Sequence, residues 1–117
     1  VNYVDLGIKI NGREVEIEIK KFVVVPTPEL AEISDKIKDS RELIDYWAID
    51  WDYKEDTFHN TWQSFRTKKK PKVEYKAKST DAKPIGYYKN PGHYKIAVKI
   101  IDVFGNELTK IIEVDIK

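Results

Sequence analysis

The sequence contains no cysteine and no methionine. The missing cysteine excludes disulfide bridges, thiolate metal sites and a cysteine nucleophile. Histidine occurs only as His59 and His93, whose spacing matches no metal motif. No apolar run approaches the roughly 20 residues that a membrane-spanning helix needs, so we expect no membrane partner. Neither metal chemistry nor cysteine catalysis is therefore expected.

The chain has 117 residues, of which 41% are hydrophobic and 35% charged. This length and mixture are typical of one globular domain. Because a natural reading frame starts with methionine, we interpret the sequence as a fragment of a larger protein. No signal peptide is recognisable at its start. The single glutamine, beside abundant lysine and glutamate, is typical of a thermophilic prokaryote.

The first 25 residues predict a β-hairpin. Residues 3–10 and 13–25 alternate apolar and polar side chains on either side of Asn11-Gly12. An Asn-Gly pair between two such runs favours a type I′ turn, which needs positive φ at both central positions. The apolar side chains of the first strand are expected to share one face; they are Val4, Leu6, Ile8 and Ile10.

The C-terminal region predicts another hairpin. Residues 94–100 and 108–116 alternate in the same way around a turn at residues 104–106. Between the hairpins, Thr27-Pro28-Glu29 is a typical helix start and predicts a short helix over residues 28–38. Residues 73–78 also alternate.

Residues 46–53 predict an aromatic strand. Trp47 and Trp51 fall on one face and are interpreted as core, whereas Asp50 and Asp52 fall on the other. Residues 58–65 are strand or irregular structure. With six or seven strands and one helix, we predict a mainly β fold, an immunoglobulin-like antiparallel β-sandwich with an N-terminal hairpin and one short helix. Its single domain divides into the hairpin (1–25), a helical connection (28–44) and a core (45–117).

The phrase YWAIDWDY, followed later by NPGHYKIAVKIIDVFGNELTKIIEVDI, resembles PKD domains, a branch of the immunoglobulin-like sandwiches. The matching elements are Trp51-Asp52, residues 91–94, Asp102 and Gly105-Asn106. Lys54-Glu55-Asp56 stands where that family usually has Gly-Asp-Gly. The resemblance implies a PKD-like core over residues 45–117.

A further resemblance covers residues 40–117. IDYWAIDWDYKEDTFHNTWQSFRTKKK and YKIAVKIIDVFGNELTKIIEV are similar to the C-terminal region of type III-like DNA adenine methyltransferases of restriction–modification systems. This resemblance implies a cytoplasmic parent that uses S-adenosylmethionine, and contacts with the rest of that parent or with a restriction subunit. The Asp-Pro-Pro-Tyr-type tetrad and the glycine-rich cofactor turn are absent from the sequence, so no catalytic residue and no cofactor are expected in this fragment.

Charge is distributed unevenly along the chain. Residues 28–57 carry ten acidic and four basic side chains, a balance of −6, and residues 66–83 carry eight basic and two acidic ones, a balance of +6. Clustered cations interleaved with aromatic rings are suited to nucleic-acid phosphates. The candidate phosphate-binding residues are Arg66, Lys68, Lys69, Lys70 and Lys72. A solvated loop, or pairing with the acidic block, is the alternative.

The acidic cluster at residues 45–56 has no Ca²⁺-loop pattern, so ion-paired or solvated carboxylates are expected. Asp50 and Asp52 share one face of the strand and could attract Arg or Lys from the basic block. No serine lies in a nucleophile motif. The predicted function is a non-catalytic accessory domain of a DNA methyltransferase that contacts the DNA backbone or a partner subunit. The alternative is a PKD- or fibronectin-like spacer, or a protein- or carbohydrate-interaction module, of a secreted or surface protein.

Overall fold

A computed structural model describes residues 2–24, 27–33, 35, 39–54, 56–69, 71–82 and 87–117. Its seven strands are β1 (Tyr3–Asn11), β2 (Glu14–Val23), β3 (Ile44–Asp50), β4 (Trp62–Phe65), β5 (Lys76–Lys78), β6 (Gly92–Asp102) and β7 (Glu107–Ile116). Helix α1 covers Pro28–Ile33, and short 3-10 helices cover Ser40–Leu43 and Ser79–Asp81.

The strands form two antiparallel sheets. One has the order β1-β2-β5 and the other β4-β3-β6-β7. The predicted class is confirmed: the fold is mainly β, with an N-terminal hairpin and one short α-helix. The hairpin is part of the sandwich, because Ile17 of β2 lies opposite Ala77 of β5.

The core lies between the two sheets. Its largest fully buried side chains include Trp47, Trp51, Phe22, Ile17 and Ile96. The prediction that Trp47 and Trp51 belong to the core is confirmed, and period-two alternation is the reason that Trp47 and Ile49 point inward together. Both predicted hairpins are also confirmed by their pairing, β1 with β2 and β6 with β7.

The type of the first turn differs from the prediction. Asn11 lies opposite Glu14, so Gly12 and Arg13 are the two central residues of the turn. Gly12 has φ +62°, and Arg13 is not among the residues with positive φ. This is the pattern of a type II′ turn, which needs glycine only at its first central position. Asn11 ends β1 instead of forming the turn.

The inward face predicted for β1 is only partly buried. Val4 is buried, but Ile8 and Ile10 are 43% and 45% exposed. Both lie on the edge strand β1. The second sheet covers their partners in β2, Ile17 and Val15, but it does not cover Ile8 and Ile10.

Helix α1, Pro28–Ile33, confirms the first part of the helix predicted over residues 28–38. The expected continuation over residues 34 and 36–38 lies outside the described residues. The 3-10 helix Ser40–Leu43 is capped by Asp39, whose side chain accepts a hydrogen bond from the backbone N–H of Arg41 at 3.0 Å. No helix in the described part of the chain is long and apolar enough to cross a membrane.

Candidate interaction surfaces

The basic segment, residues 66–72, connects β4 to the loop before β5. Its two ends are anchored to the sandwich. The backbone N–H of Arg66 donates to the carbonyl of Asp45 at 3.1 Å, and the backbone N–H of Glu74 donates to the Ser64 hydroxyl at 2.9 Å. The indole N–H of Trp47 donates to the Glu74 carbonyl at 2.6 Å. The core strands therefore fix where this segment leaves and re-enters the fold.

Glu42 brings the outer members of the predicted phosphate site together. The Lys72 ammonium lies 3.0 Å from the Glu42 carboxylate, and the Arg66 guanidinium donates to the Glu42 carbonyl at 3.3 Å. The hydrogen bond to Glu42 raises the pKa of Lys72 above its usual value. Contact between the acidic and basic blocks, the alternative drawn from the sequence, is thus present at this point.

The middle of the segment has a different environment. Lys68 and Lys69 are exposed, and Lys70 lies outside the described residues. Phosphate binding by Arg66, Lys68, Lys69, Lys70 and Lys72 stays a prediction. Its geometric basis is a loop with exposed lysines that is flanked by two cations already bonded to Glu42.

A cluster of side chains around Arg41, which sequence reasoning missed, lies beside this segment. The Arg41 guanidinium binds both the Asp39 carboxylate, at 2.7 Å, and the carbonyl of Ile19, at 3.0 Å, and lies 4.2 Å from the ring centroid of Tyr75. Its hydrogen bond to Asp39 lowers the pKa of that carboxyl, while burial raises the pKa of Tyr75. The spacing Asp39-x-x-Glu42 is a capping-box pattern that would have located the cap, but not the rings and strands that meet there.

The carboxylates that could attract the basic block are held elsewhere. Asp50 is 2% exposed and accepts hydrogen bonds from the backbone N–H groups of Asp52, at 3.1 Å, and His59, at 2.7 Å. Asp52 pairs with Lys54 at 3.3 Å. The ion-paired role expected for the acidic cluster is thus present at Asp52. Among the described residues, neither carboxylate contacts the basic block, because the turn after β3 supplies nearer donors. Within the described residues, no group of three or more His, Asp or Glu side chains is arranged to hold a metal ion.

An open depression of about 460 Å³ lies beside β4 and is lined by Asn60, Thr61, Trp62, Gln63 and Asp81. The Trp62 ring packs edge-on against Trp47 with a centroid distance of 4.7 Å. Asn60 and Gln63 are hydrogen-bonded to each other, and Asp81 accepts from the backbone N–H of Lys78 at 3.3 Å. These polar groups already serve the fold.

His93 forms a hydrogen-bonded cluster with two carboxylates on the exposed face of β6 and β7. Its Nδ1 lies 2.6 Å from Asp115, directly opposite on β7, and its Nε2 lies 3.1 Å from Glu113. These hydrogen bonds raise the pKa of His93, and the bond to Asp115 contributes most.

The buried serine hydroxyls bind backbone groups. Ser79 accepts a hydrogen bond from the backbone N–H of Val15, and Ser64 accepts one from that of Glu74. Both hydroxyl groups therefore stabilise the fold.

No family model matches the sequence, and no curated protein matches it. Solved structures do match. The PKD1 domain of Vibrio anguillarum Epp superposes with a TM-score of 0.55 at 13% identity, covering 99% of this chain and 93% of that one. The PKD1 domain of the Vibrio cholerae metalloprotease PrtV superposes with a TM-score of 0.54 at 14% identity, covering 97% and 94%. The chain has a PKD-like fold.

This likeness overturns the methyltransferase resemblance. The structural neighbours over nearly the whole chain are PKD domains, and neither is a methyltransferase. The quoted phrases fall mainly on β3, β6 and β7 of the PKD-like sandwich, where alternating large apolar and polar residues are what any half-buried strand requires. A shared alternation of apolar and polar residues does not indicate a shared enzymatic function. The restriction–modification assignment is therefore wrong, and S-adenosylmethionine in a parent enzyme loses its support.

The residues that the sequence linked to PKD domains have clear positions in this PKD-like fold. Asp102 is buried and accepts hydrogen bonds from the backbone N–H groups of Phe104 and Asn106, both at 2.9 Å, and from the side chain of Asn2 at 2.8 Å. Asp56, where the PKD resemblance implies a glycine, has φ +54°. Aspartate is one of the residues that adopt positive φ more often than most.

Proposed function

We propose that the chain is a non-catalytic spacer and interaction module of a larger secreted or surface protein. Support comes from the PKD-like fold and from the hydrogen bonds that engage polar side chains within it, namely Ser64, Ser79, His93, Asp50 and Asp102. The PrtV domain belongs to a metalloprotease, so in that protein the fold accompanies an enzyme. The proposed secreted or surface location differs from the cytoplasmic location that the methyltransferase resemblance implied.

The observation that carries the spacer role is the position of the two ends of the chain. Asn2 contacts Asp102, the last residue of β6, whereas Ile116 lies opposite Gly92, its first residue. Ten residue steps along β6 span about 33 Å. The molecule measures 48 × 29 × 22 Å. A polypeptide that passes through this module thus enters and leaves at opposite ends of its long direction.

The separation of the ends is measured by fluorescence energy transfer. Because the chain lacks cysteine, Tyr3→Cys and Lys117→Cys provide two unique labelling sites. With a dye pair whose Förster distance is shorter than the span of β6, we expect low transfer in the folded chain. The control pair is Tyr3→Cys with Val103→Cys, which places both labels near Asp102 and should give high transfer. Equal, high transfer for both pairs would contradict the proposal.

The functional test uses the full-length parent. Replacing residues 2–116 by an unrelated β-sandwich with its ends equally far apart should preserve the activity of the flanking regions, whereas deleting them should reduce it. Loss of activity on both replacement and deletion would overturn the spacer role and favour a specific binding role.

A further inference from the structure

The outer edge of β1 is unpaired. In the described part of the chain, β1 pairs only with β2, and no strand lies on its other side. Ile8 and Ile10 are 43% and 45% exposed there, although the residues opposite them in β2 are fully buried. A nine-residue edge strand with exposed apolar side chains is a template for strand addition.

The edge is regular enough to accept a partner. The irregularity in the hairpin falls between Asp5 and Leu6, whose partners are Lys21 and Ile19. The extra residue is therefore Lys20 on β2, and β1 itself continues without interruption. A bulge on the edge strand would turn that edge away from a partner, and β1 has none.

We propose that β1 pairs antiparallel with β1 of a second copy of this chain, about a two-fold axis through Gly7. This inference does not depend on the spacer role. The register places Leu6 opposite Ile8 of the second copy, and Val4 opposite Ile10. It also places Asp5 opposite Lys9, and the symmetry repeats each pair.

Charge selects this register. Within the chain, Lys78 faces Glu16, Glu16 faces Lys9, and Asp5 faces Lys21. In the dimer, Lys9 of one copy would pair with Asp5 of the second copy. The paired three-stranded sheets would then carry one row of alternating charge: Lys78, Glu16 and Lys9 of one copy, then Asp5 and Lys21 of the second copy. Opposite charges placed directly across strands stabilise a sheet, and like charges destabilise it.

Other registers lose this match. A shift of one residue turns the apolar stripes to opposite faces. A shift of two residues places Asp5 opposite Gly7 or Asn11, so no charge pair remains. At the axis, residue 7 has no side chain, and the end of the Lys20 side chain lies over it, with Cε 2.5 Å and the ammonium nitrogen 3.4 Å from the position that a Cβ would take.

Two charge reversals test the pairing. Asp5→Lys places lysines opposite each other in a homodimer, and Lys9→Glu places carboxylates opposite each other. We expect the native chain to dimerise with rising concentration. Each variant should self-associate at least about tenfold more weakly than the native chain. Mixing the two variants should restore dimers, because both pairs that join the two copies, between positions 5 and 9, are then of opposite sign. Sedimentation equilibrium measures the masses, and Lys117→Glu is the matched charge control.

A cross-link tests the register independently. Gly7→Cys requires the flexible end of Lys20 to move aside. It then places two thiols opposite each other at the axis, where directly paired residues of antiparallel strands lie about 4.5–5.5 Å apart, within disulfide reach. Lys9→Cys is the control, because the two copies of residue 9 are offset by four residues, about 14 Å along the strands. We expect oxidised dimers from Gly7→Cys only.

Thermal unfolding confirms that each variant is folded before its mass is interpreted. A native chain that stays monomeric at every concentration would overturn the proposal. So would dimers that neither charge reversal weakens, since the interface would then lie elsewhere, as on the β7 edge. Equal cross-linking of Gly7→Cys and Lys9→Cys would overturn the register.

Discussion

At the scale of single residues, the buried carboxylates of this sandwich hold backbone turns. Asp50 accepts the N–H groups of the turn after β3, and Asp102 accepts those of the turn between β6 and β7. Aspartate suits such turns because its short side chain reaches the N–H group two residues ahead. Sequence reasoning identified both residues but not the role of Asp50, because alternation predicts a face and not a hydrogen-bond partner.

His93 gives a pH-dependent prediction at this scale. Its folded pKa is raised above 6.5 by Asp115 and Glu113. The resulting stabilisation is complete below the unfolded pKa of about 6.5 and is lost as pH rises through the folded pKa. We expect the thermal midpoint of the native chain to fall over this range, and His93→Gln to remove that component. Thermal unfolding at a series of pH values measures it.

The control is His59→Gln, which leaves the His93 cluster intact and should keep its pH dependence. An NMR titration of the His93 ring provides the direct check. A ring pKa at or below the ordinary value in the folded chain would contradict the assigned role of Asp115 and Glu113.

At the scale of elements, the sequence predicted what depends on local periodicity. Both hairpins and the aromatic strand follow from alternation, and their strands are present. The alternation over residues 73–78 is longer than β5, which covers only Lys76–Lys78. The length of β5 is set by its pairing with β2, about 60 residues earlier in the chain. Contacts of this kind, including that of Glu42 with Lys72, have no local signal.

The turn of the first hairpin gives a prediction at this scale. Gly12 has φ +62°, and a Cβ there would meet nothing within 4 Å, so any cost of substitution comes from the backbone alone. We expect Gly12→Ala to lower the free energy of unfolding by about 1 kcal/mol, because alanine rarely adopts positive φ. Gly12→Asn should cost less, because asparagine adopts positive φ more readily. Urea unfolding measures both, and equal effects would contradict the turn assignment.

At the scale of the whole molecule, the two sheets share one core. Ile17 comes from the three-stranded sheet and Ile100 from the four-stranded sheet, and both belong to the same buried cluster with the tryptophans. Alternation in the sequence predicted the inward residues of each strand. It did not predict which strands share a sheet, because that depends on how the segments between them cross the sandwich.

A shared core implies that the sheets unfold together. We expect Ile17→Ala and Ile100→Ala each to lower the free energy of unfolding by about 2–5 kcal/mol, because each removes fully buried methyl groups and leaves a cavity. Tryptophan fluorescence reports on the side of β3 and β4, where Trp47 and Trp62 lie, whereas far-UV circular dichroism reports on all strands. Both signals should shift together in urea for either variant.

The matched control for these substitutions is Ile111→Ala, since Ile111 is 47% exposed and its truncation removes little buried surface. Suppose instead that Ile17→Ala shifted circular dichroism but left the tryptophan transition unchanged. The three-stranded sheet would then unfold alone, and a module loaded from its two ends would open at the hairpin first. Coincident transitions are what a spacer needs, because Asn2 precedes β1 of one sheet and Ile116 ends β7 of the other.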